Sequence, residues 1–229
     1  MTRRPAPAAT PVLLVADASL WREALIAYLD QRGDVTLAGC SELAAAAPQA
    51  ASVQAPVAIV DAQHATSDPA AAIRAVRSAS PLTRCVTVAG GGADEHGRLL
   101  EAGAMSVVGA AGSLSHLVWA ILAARDGRTT LDPDARRRLQ QAWHTRRAWE
   151  RERDAIRAHL TPREMEVLAG LARGQDQGHI ARSLGISPAT VRTHVRNLLG
   201  KLGATSRLQA VAVALRLGVI RPPRSRWAA

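Results

Sequence analysis

Between Ser187 and Leu202 the sequence SPATVRTHVRNLLGKL places two arginines and a threonine where they can address an anion. Val191, Val195, Leu198, Leu199 and Leu202 recur with helical spacing and form one stripe that can bury itself. Ala189, Arg192, Thr193, Arg196 and Gly200 fall on the opposite side. Guanidinium groups so placed can reach phosphate oxygens, or the O6 and N7 of guanine with paired donors. Small residues at the N-terminal end let such a helix enter a major groove closely. Two arginines on an exposed helix are by themselves only a solvated surface, so the weight of this reading rests on their surroundings. A second constellation is Asp17 and Asp61, which follow the short apolar runs Val12–Ala16 and Val57–Val60. Ligands of open parallel sheets sit beyond the carboxyl ends of strands, where both aspartates fall.

Other candidates carry less. Cys40 and Cys85 are isolated, so they read as buried thiols rather than a disulfide framework or zinc site. His64, His96 and His116 have no metal-ligand spacing and receive no role, and no metal site or cofactor is expected. Gly90-Gly91-Gly92 could offer backbone N–H groups to an anion but lacks the spacing of a phosphate-binding motif, and is read as a mobile loop. No GxSxG, HExxH, P-loop or dinucleotide fingerprint occurs, and two aspartates alone specify no reaction, so no enzyme is expected.

The elements that must hold these residues divide at about the middle of the chain. Around the basic helix lie three more helical patterns. Thr161-Pro162-Arg163-Glu164 has a cap residue, proline at the first position and glutamate at the third, which is a capping box. Met165, Leu168, Ala169 and Leu171 supply its buried side. Ile180 to Ile186 is an apolar-faced helix stopped by Gly185, whose access to positive φ suits a tight turn before Ser187 and Pro188 open the next helix. Ser206 opens a fourth, with Leu208, Val211, Ala212, Leu215 and Leu217 apolar.

Residues 11–125 alternate short apolar runs with helical patterns instead. Strands are expected at Val12–Ala16, Val35–Ala38, Val57–Val60, Cys85–Ala89 and Ser106–Val108, and helices near Leu20–Gln31, Ser41–Ala51, Pro69–Ala79, Asp94–Ala102 and Ser113–Arg125. That order predicts an α/β, flavodoxin-like doubly wound domain ahead of an all-α one. Charge divides the same way: residues 1–125 carry a net charge of −1 and residues 126–229 one of +11. A basic half beside a neutral half suits a nucleic-acid reader joined to a sensor or partner domain.

LTPREMEVL, IARSLGIS, TVRTHVRNLLGKLG and SRLQAV occur in order between Leu160 and Val211, and this segment resembles the DNA-binding domain of LuxR/NarL/FixJ regulators. The resemblance implies that Arg192, Thr193 and Arg196 face base edges, and that Thr190, Lys201 and Arg207 lie near the DNA backbone or the scaffold. With Ser187 these are the candidate DNA-binding residues. One departure is Gln177-Gly178-His179, where the family has Asn-Lys-Glu; Gly178 weakens the start of its helix and removes a phosphate contact.

The first half is similar to the receiver domains of two-component response regulators. There an acidic pair after the first strand and an aspartate after the third hold Mg²⁺, and that aspartate accepts a phosphoryl group. A hydroxyl after the fourth strand and a lysine after the fifth read it. Here the acidic pair reads Ala16-Asp17, Asp61 stands at the acceptor position, the hydroxyl position is Ala89 and the lysine position Ala110. No lysine occurs in residues 1–125, so no shift of alignment restores one; Thr87 stands in for the hydroxyl only if the strand is misread by two residues. The pocket reads as an atypical receiver, with Asp17 and Asp61 either vestigial or repurposed for a ligand.

The domain boundaries that follow are 1–10 for a disordered N-terminus, 11–125 for the receiver-like domain, 126–158 for a helical linker opened by Asp132-Pro133, 159–221 for the helix-turn-helix domain and 222–229 for a disordered tail. The expected molecule is a cytoplasmic homodimer without a membrane span, bound to an inverted-repeat DNA operator. RNA polymerase and a small-molecule ligand are its further candidate partners. Conventional phosphorylation on Asp61, or ligand sensing at the receiver pocket, remain the alternatives to a phosphorylation-independent regulator.

Overall fold

The computed structural model describes residues 9–220. The chain divides into two compact units, Met1–His144 and Thr145–Ala229.

In the first unit five parallel strands, β1 (Thr10–Val15), β2 (Val35–Ser41), β3 (Val57–Asp61), β4 (Arg84–Ala89) and β5 (Ala104–Gly109), lie in the order β2-β1-β3-β4-β5. They alternate with α1 (Leu20–Asp30), α2 (Ala46–Val53), α3 (Pro69–Ala79), α4 (Ala93–Ala102) and α5 (Leu114–Arg125). Successive side chains leave opposite faces of a strand, so each apolar run serves two cores. Leu13, Val15, Ala58 and Val60 pack under Ala46, Ile73, Val76 and Leu99. Val12, Leu14, Val57 and Ile59 pack against Leu25, Leu29, Leu117 and Ile121 on the other side. This is the doubly wound architecture expected, and it brings the carboxyl ends of β1 and β3 together as neighbours.

Two boundaries differ from expectation. β1 begins at Thr10, within the segment expected to be unstructured; the rest of that segment's described part is Ala9. Ser41, expected to open a helix, is the last residue of β2 and pairs with Val15; a single 3₁₀ turn at Leu43–Ala45 then leads into α2. Serine suits a helix cap in isolation, but the sheet register claims this one. The expected tail, 222–229, lies outside the described residues.

The long helix α6 (Pro133–His159) begins where Asp132 Oδ2 accepts from the N–H groups of Asp134 and Ala135. Within the first unit its early turns cross α4 at Gly97: a Cβ there would lie 2.1 Å from the Leu139 carbonyl oxygen and 2.8 Å from Trp143 Cβ. The Trp143 indole donates to Glu101 beside that crossing.

In the second unit, α7 (Pro162–Ala172), α8 (Gln177–Leu184), α9 (Pro188–Lys201) and α10 (Arg207–Arg216) surround a core that includes Leu168, Leu198, Ala210 and Ala214, with Ile156 of α6 packed on it. Thr161 and Glu164 form the expected capping box. Gly185 ends α8 at φ 66°. On α10, Leu208 is 80% exposed, while Ala210 and Ala214 are fully buried and Leu217 just beyond the helix is buried with them. Methyl side chains let α10 pack against α7 and α9, and Leu208 at its start is left in solvent.

Candidate nucleic-acid interface and receiver pocket

The geometry of α9 follows from its first turn. Ser187 Oγ accepts from the Thr190 N–H at 3.1 Å and shares a 2.8 Å hydrogen bond with the Thr190 hydroxyl, and Pro188 occupies the first helical position. Val191, Val195 and Leu198 are buried, which turns Arg192, Thr193 and Arg196 to solvent. Neither arginine makes a hydrogen bond or ion pair with another described residue, so both guanidinium groups are available to an outside acceptor. Thr193 returns its hydroxyl to the Ala189 carbonyl at 3.3 Å. Arg207 is the exposed first residue of α10.

Ser187 is engaged as a cap, and Lys201 is engaged inside the scaffold. Lys201 Nζ donates to Glu164 Oε2 at 2.7 Å, and the same oxygen accepts from the N–H and hydroxyl of Thr161 at 2.8 and 3.0 Å. Burial alone would raise the Glu164 pKa, but the Lys201 and Thr161 hydrogen bonds outweigh it and hold the carboxyl below its usual range. Lys201 is thus in contact with the scaffold, with about a third of its side chain still exposed. The weakness expected at Gly178 is offset by a cap that sequence reading missed: Asp176 Oδ1 accepts from the His179 N–H at 2.7 Å.

In the first unit, Asp17 and Asp61 both lie at the carboxyl end of the sheet, but their oxygens are already engaged. Asp17 is 8% exposed; its Oδ1 accepts from the Leu43 N–H at 3.1 Å, and its Oδ2 from the N–H and hydroxyl of Thr66 at 2.7 and 2.6 Å. Burial pushes its pKa up, but the hydrogen bonds from Thr66 and Leu43, with Arg22 nearby, bring it below the ordinary carboxylate value. Asp61 is fully buried, with Oδ1 accepting from the N–H groups of Gln63 and His64 at 2.9 and 3.3 Å. Its Oδ2 lies 3.0 Å from His64 Nδ1, and the His64 ring stacks on Trp21 at 5.6 Å between centroids.

His64 and Thr66 were missed by sequence reading. Each sits on the turn after β3 and ties one carboxylate back to the chain. The local signal for His64 is its place three residues after Asp61; nothing local points from Thr66 to Asp17. His96, also without an expected role, lies with Nε2 3.1 Å from the Gly90 carbonyl oxygen and so holds one end of the glycine triplet.

These residues do not fit a Mg²⁺ site. Ala16 replaces one carboxylate, both oxygens of Asp17 and of Asp61 have partners within the chain, and no group of three His, Cys, Asp or Glu able to hold a metal exists among the described residues. The readout positions are equally changed. Ala89 and Ala110 are joined only by a 2.8 Å backbone hydrogen bond. Thr87 pairs with Val60, inside β4 rather than at its end; it is fully buried, and its hydroxyl has no partner among the described residues. The strand was therefore not misread, and Thr87 does not replace the missing hydroxyl. Cys85 is buried as expected, which pushes its thiol up to about 12, and Cys40 is half-buried.

An open five-stranded parallel sheet followed by a capped helix-turn-helix with a basic exposed face defines a regulator of the receiver-and-reader class. Residues 158–214 match the family of bacterial regulatory proteins called luxR. A probable transcriptional regulatory protein NarL of Mycobacterium tuberculosis is 32% identical over 216 residues, covering 93% of this chain and 96% of that protein. The transcriptional regulatory protein YdfI of Bacillus subtilis is 36% identical over 98 residues, 43% of this chain and 44% of its own. A LuxR-family two-component response regulator from Aurantimonas sp. SI85-9A1 shares the fold with a TM-score of 0.50, at 20% identity, covering 62% of this chain and 99% of that one. The chain belongs to the NarL/LuxR family of response regulators and is a DNA-binding transcriptional regulator. Among the described residues no helix is long and apolar enough to cross a membrane.

Proposed function

We propose that this regulator reads its operator through Arg192, Thr193 and Arg196, and that its receiver-like unit works without aspartyl phosphorylation. The observation that carries the second half is the engagement of both pocket carboxylates by the turn after β3, through His64 on Asp61 and Thr66 on Asp17. Phosphoryl transfer to a carboxylate depends on a metal and a cation to balance charge. Here the carboxylates meet hydrogen-bond donors of the chain instead, and the first unit contains no lysine.

The free guanidinium groups of Arg192 and Arg196, carried on a helix with a small residue at its entry, support direct reading of guanine edges in a major groove. The regulator acts in the cytoplasm as a homodimer on an inverted repeat, with two copies of α9 in successive major grooves. Ser187 positions the recognition helix and Lys201 braces it, while Thr190 and Arg207 lie toward the phosphates. The test is operator affinity of the full chain at one fixed salt concentration, before and after incubation with acetyl phosphate and Mg²⁺. Affinity stays the same under this reading. A rise that disappears in Asp61→Asn would instead establish conventional response-regulator control.

A further inference from the structure

The first unit has a recess of ≈ 420 Å³ at the opposite end of the sheet from Asp17 and Asp61, bordered by the turn from α3 to β4, the end of α4 and the start of α6. Arg77, Arg84 and Arg136 line it, with Leu82 and Met105 as apolar wall and Glu101 as its one carboxylate. We infer that this recess binds a small organic phosphate, its anionic end held by the three guanidinium groups and its apolar part laid on Leu82 and Met105.

The arginines of this recess lack the carboxylate partners that most other arginines of the unit have. Arg32 pairs with Asp34, Arg74 and Arg98 with Asp68, and Arg125 and Arg128 with Asp126. Arg136 instead makes one hydrogen bond, to the Met105 carbonyl oxygen at 3.2 Å, and Arg84 one at 3.5 Å to the Arg125 carbonyl oxygen. Arg77 has no hydrogen-bond acceptor among the described residues, yet its guanidinium lies against Gly103: a Cβ there would come 2.1 Å from Nη1. Gly103, at φ 110°, thus supplies both the turn out of α4 and the space in which Arg77 lies.

Three like charges gathered around a concavity without carboxylate partners repel one another, and an anion between them relieves that repulsion. Guanidinium forks match phosphate oxygens with paired donors. The turn forming one wall is fixed, because the Thr83 hydroxyl donates to the Ala55 carbonyl oxygen at 2.7 Å and lies 2.8 Å from Ser80 Oγ. Leu82, next to it, is 85% exposed and offers the bare apolar surface that the organic part would cover. The proposal concerns the end of the sheet remote from the carboxylates, so it stands or falls independently of how Asp61 behaves.

The test is calorimetric titration of the full chain with ADP and, separately, inorganic pyrophosphate. Both bind saturably to one site per chain, and the Arg77→Gln/Arg136→Gln double variant weakens both by about tenfold or more, since each lost charge-assisted pair contributes on that order. Arg74→Gln, a change of equal charge on the same helix outside the recess, leaves both unchanged. Leu82→Ser weakens ADP but not pyrophosphate. The proposal is overturned by an absence of saturable binding, or by equal weakening in Arg74→Gln, which would mark a general attraction to the basic chain. Undiminished binding in the double variant overturns it too.

Discussion

Lys201 Nζ lies 2.7 Å from Glu164 Oε2, and this contact joins the last turn of the recognition helix to the first turn of α7. Glu164 is 3% exposed and Lys201 retains about a third of its side-chain exposure. Removing the lysine leaves a buried carboxylate with only the Thr161 donors. Lys201→Met is expected to destabilise the second unit by about 1–3 kcal/mol, less than a fully buried pair because solvent screens the lysine end. Its folded pKa is depressed, so the Glu164 contribution is present above the unfolded carboxylate value and is lost as pH falls through the folded one. Urea unfolding of the full chain across the acid range, compared with Glu164→Gln, checks this: the variant has a flatter dependence on pH.

Thr66 gives Asp17 two donors, and Thr66→Val removes the hydroxyl while keeping the N–H. The expected loss is about 1–2 kcal/mol, the lower end of the worth of a hydrogen bond to a charged group because Thr66 is exposed. The Asp17 pKa should also rise toward its usual value, so the acid-dependent loss of stability in the first unit becomes smaller and is complete at higher pH. Carboxyl NMR of Asp17 during a pH titration reads the shift directly.

Gly97 is where α4 and the early turns of α6 meet, and the neighbour a Cβ would strike is backbone that cannot swing aside. Gly97→Ala is expected to cost about 1–3 kcal/mol through overpacking. Faster amide exchange from Leu139 to Trp143 than in the parent chain would accompany it. Unchanged exchange there would show that the helices separate without cost.

Arg192→Ala and Arg196→Ala are each expected to weaken operator binding by about 1–3 kcal/mol and to relax base preference at the positions they read. Arg207→Ala should weaken binding to all sequences alike and lower the salt slope by about one. Lys201→Met changes affinity through stability rather than through a lost phosphate contact, so its salt slope stays that of the parent. Fluorescence titrations at several salt concentrations separate these outcomes.

Much of the framework was legible because its signals are local. Asp132-Pro133, Thr161-Pro162 and Ser187-Pro188 each announce a helix start by pairing a cap with a residue that needs no donor, and α6, α7 and α9 begin there. What escaped was set by partners remote in sequence. Ser41 carried a cap's chemistry, yet its place was decided by pairing with Val15. Leucine outweighs alanine in any periodicity, so the buried alanine face of α10 was hidden until its close packing was visible.

The candidate sites follow the same rule. The exposure of Arg192, Thr193 and Arg196 could be read from the stripe on the other side of their own helix. The burial of Glu164 depends on Lys201, thirty-seven residues later. The missing lysine and hydroxyl of the receiver pocket were visible as absences in the chain, but what occupies its carboxylates was not. Thr66 reaches Asp17 across forty-nine residues, and only the folded sheet brings them together.

The most direct test of the account is the intact mass of the full chain after incubation with acetyl phosphate and Mg²⁺. With Asp17 held by Thr66 and Asp61 held by His64, the mass is expected to remain that of the unmodified protein. An adduct of about 80 Da, one phosphoryl group, that is present in the parent and absent in Asp61→Asn would contradict it.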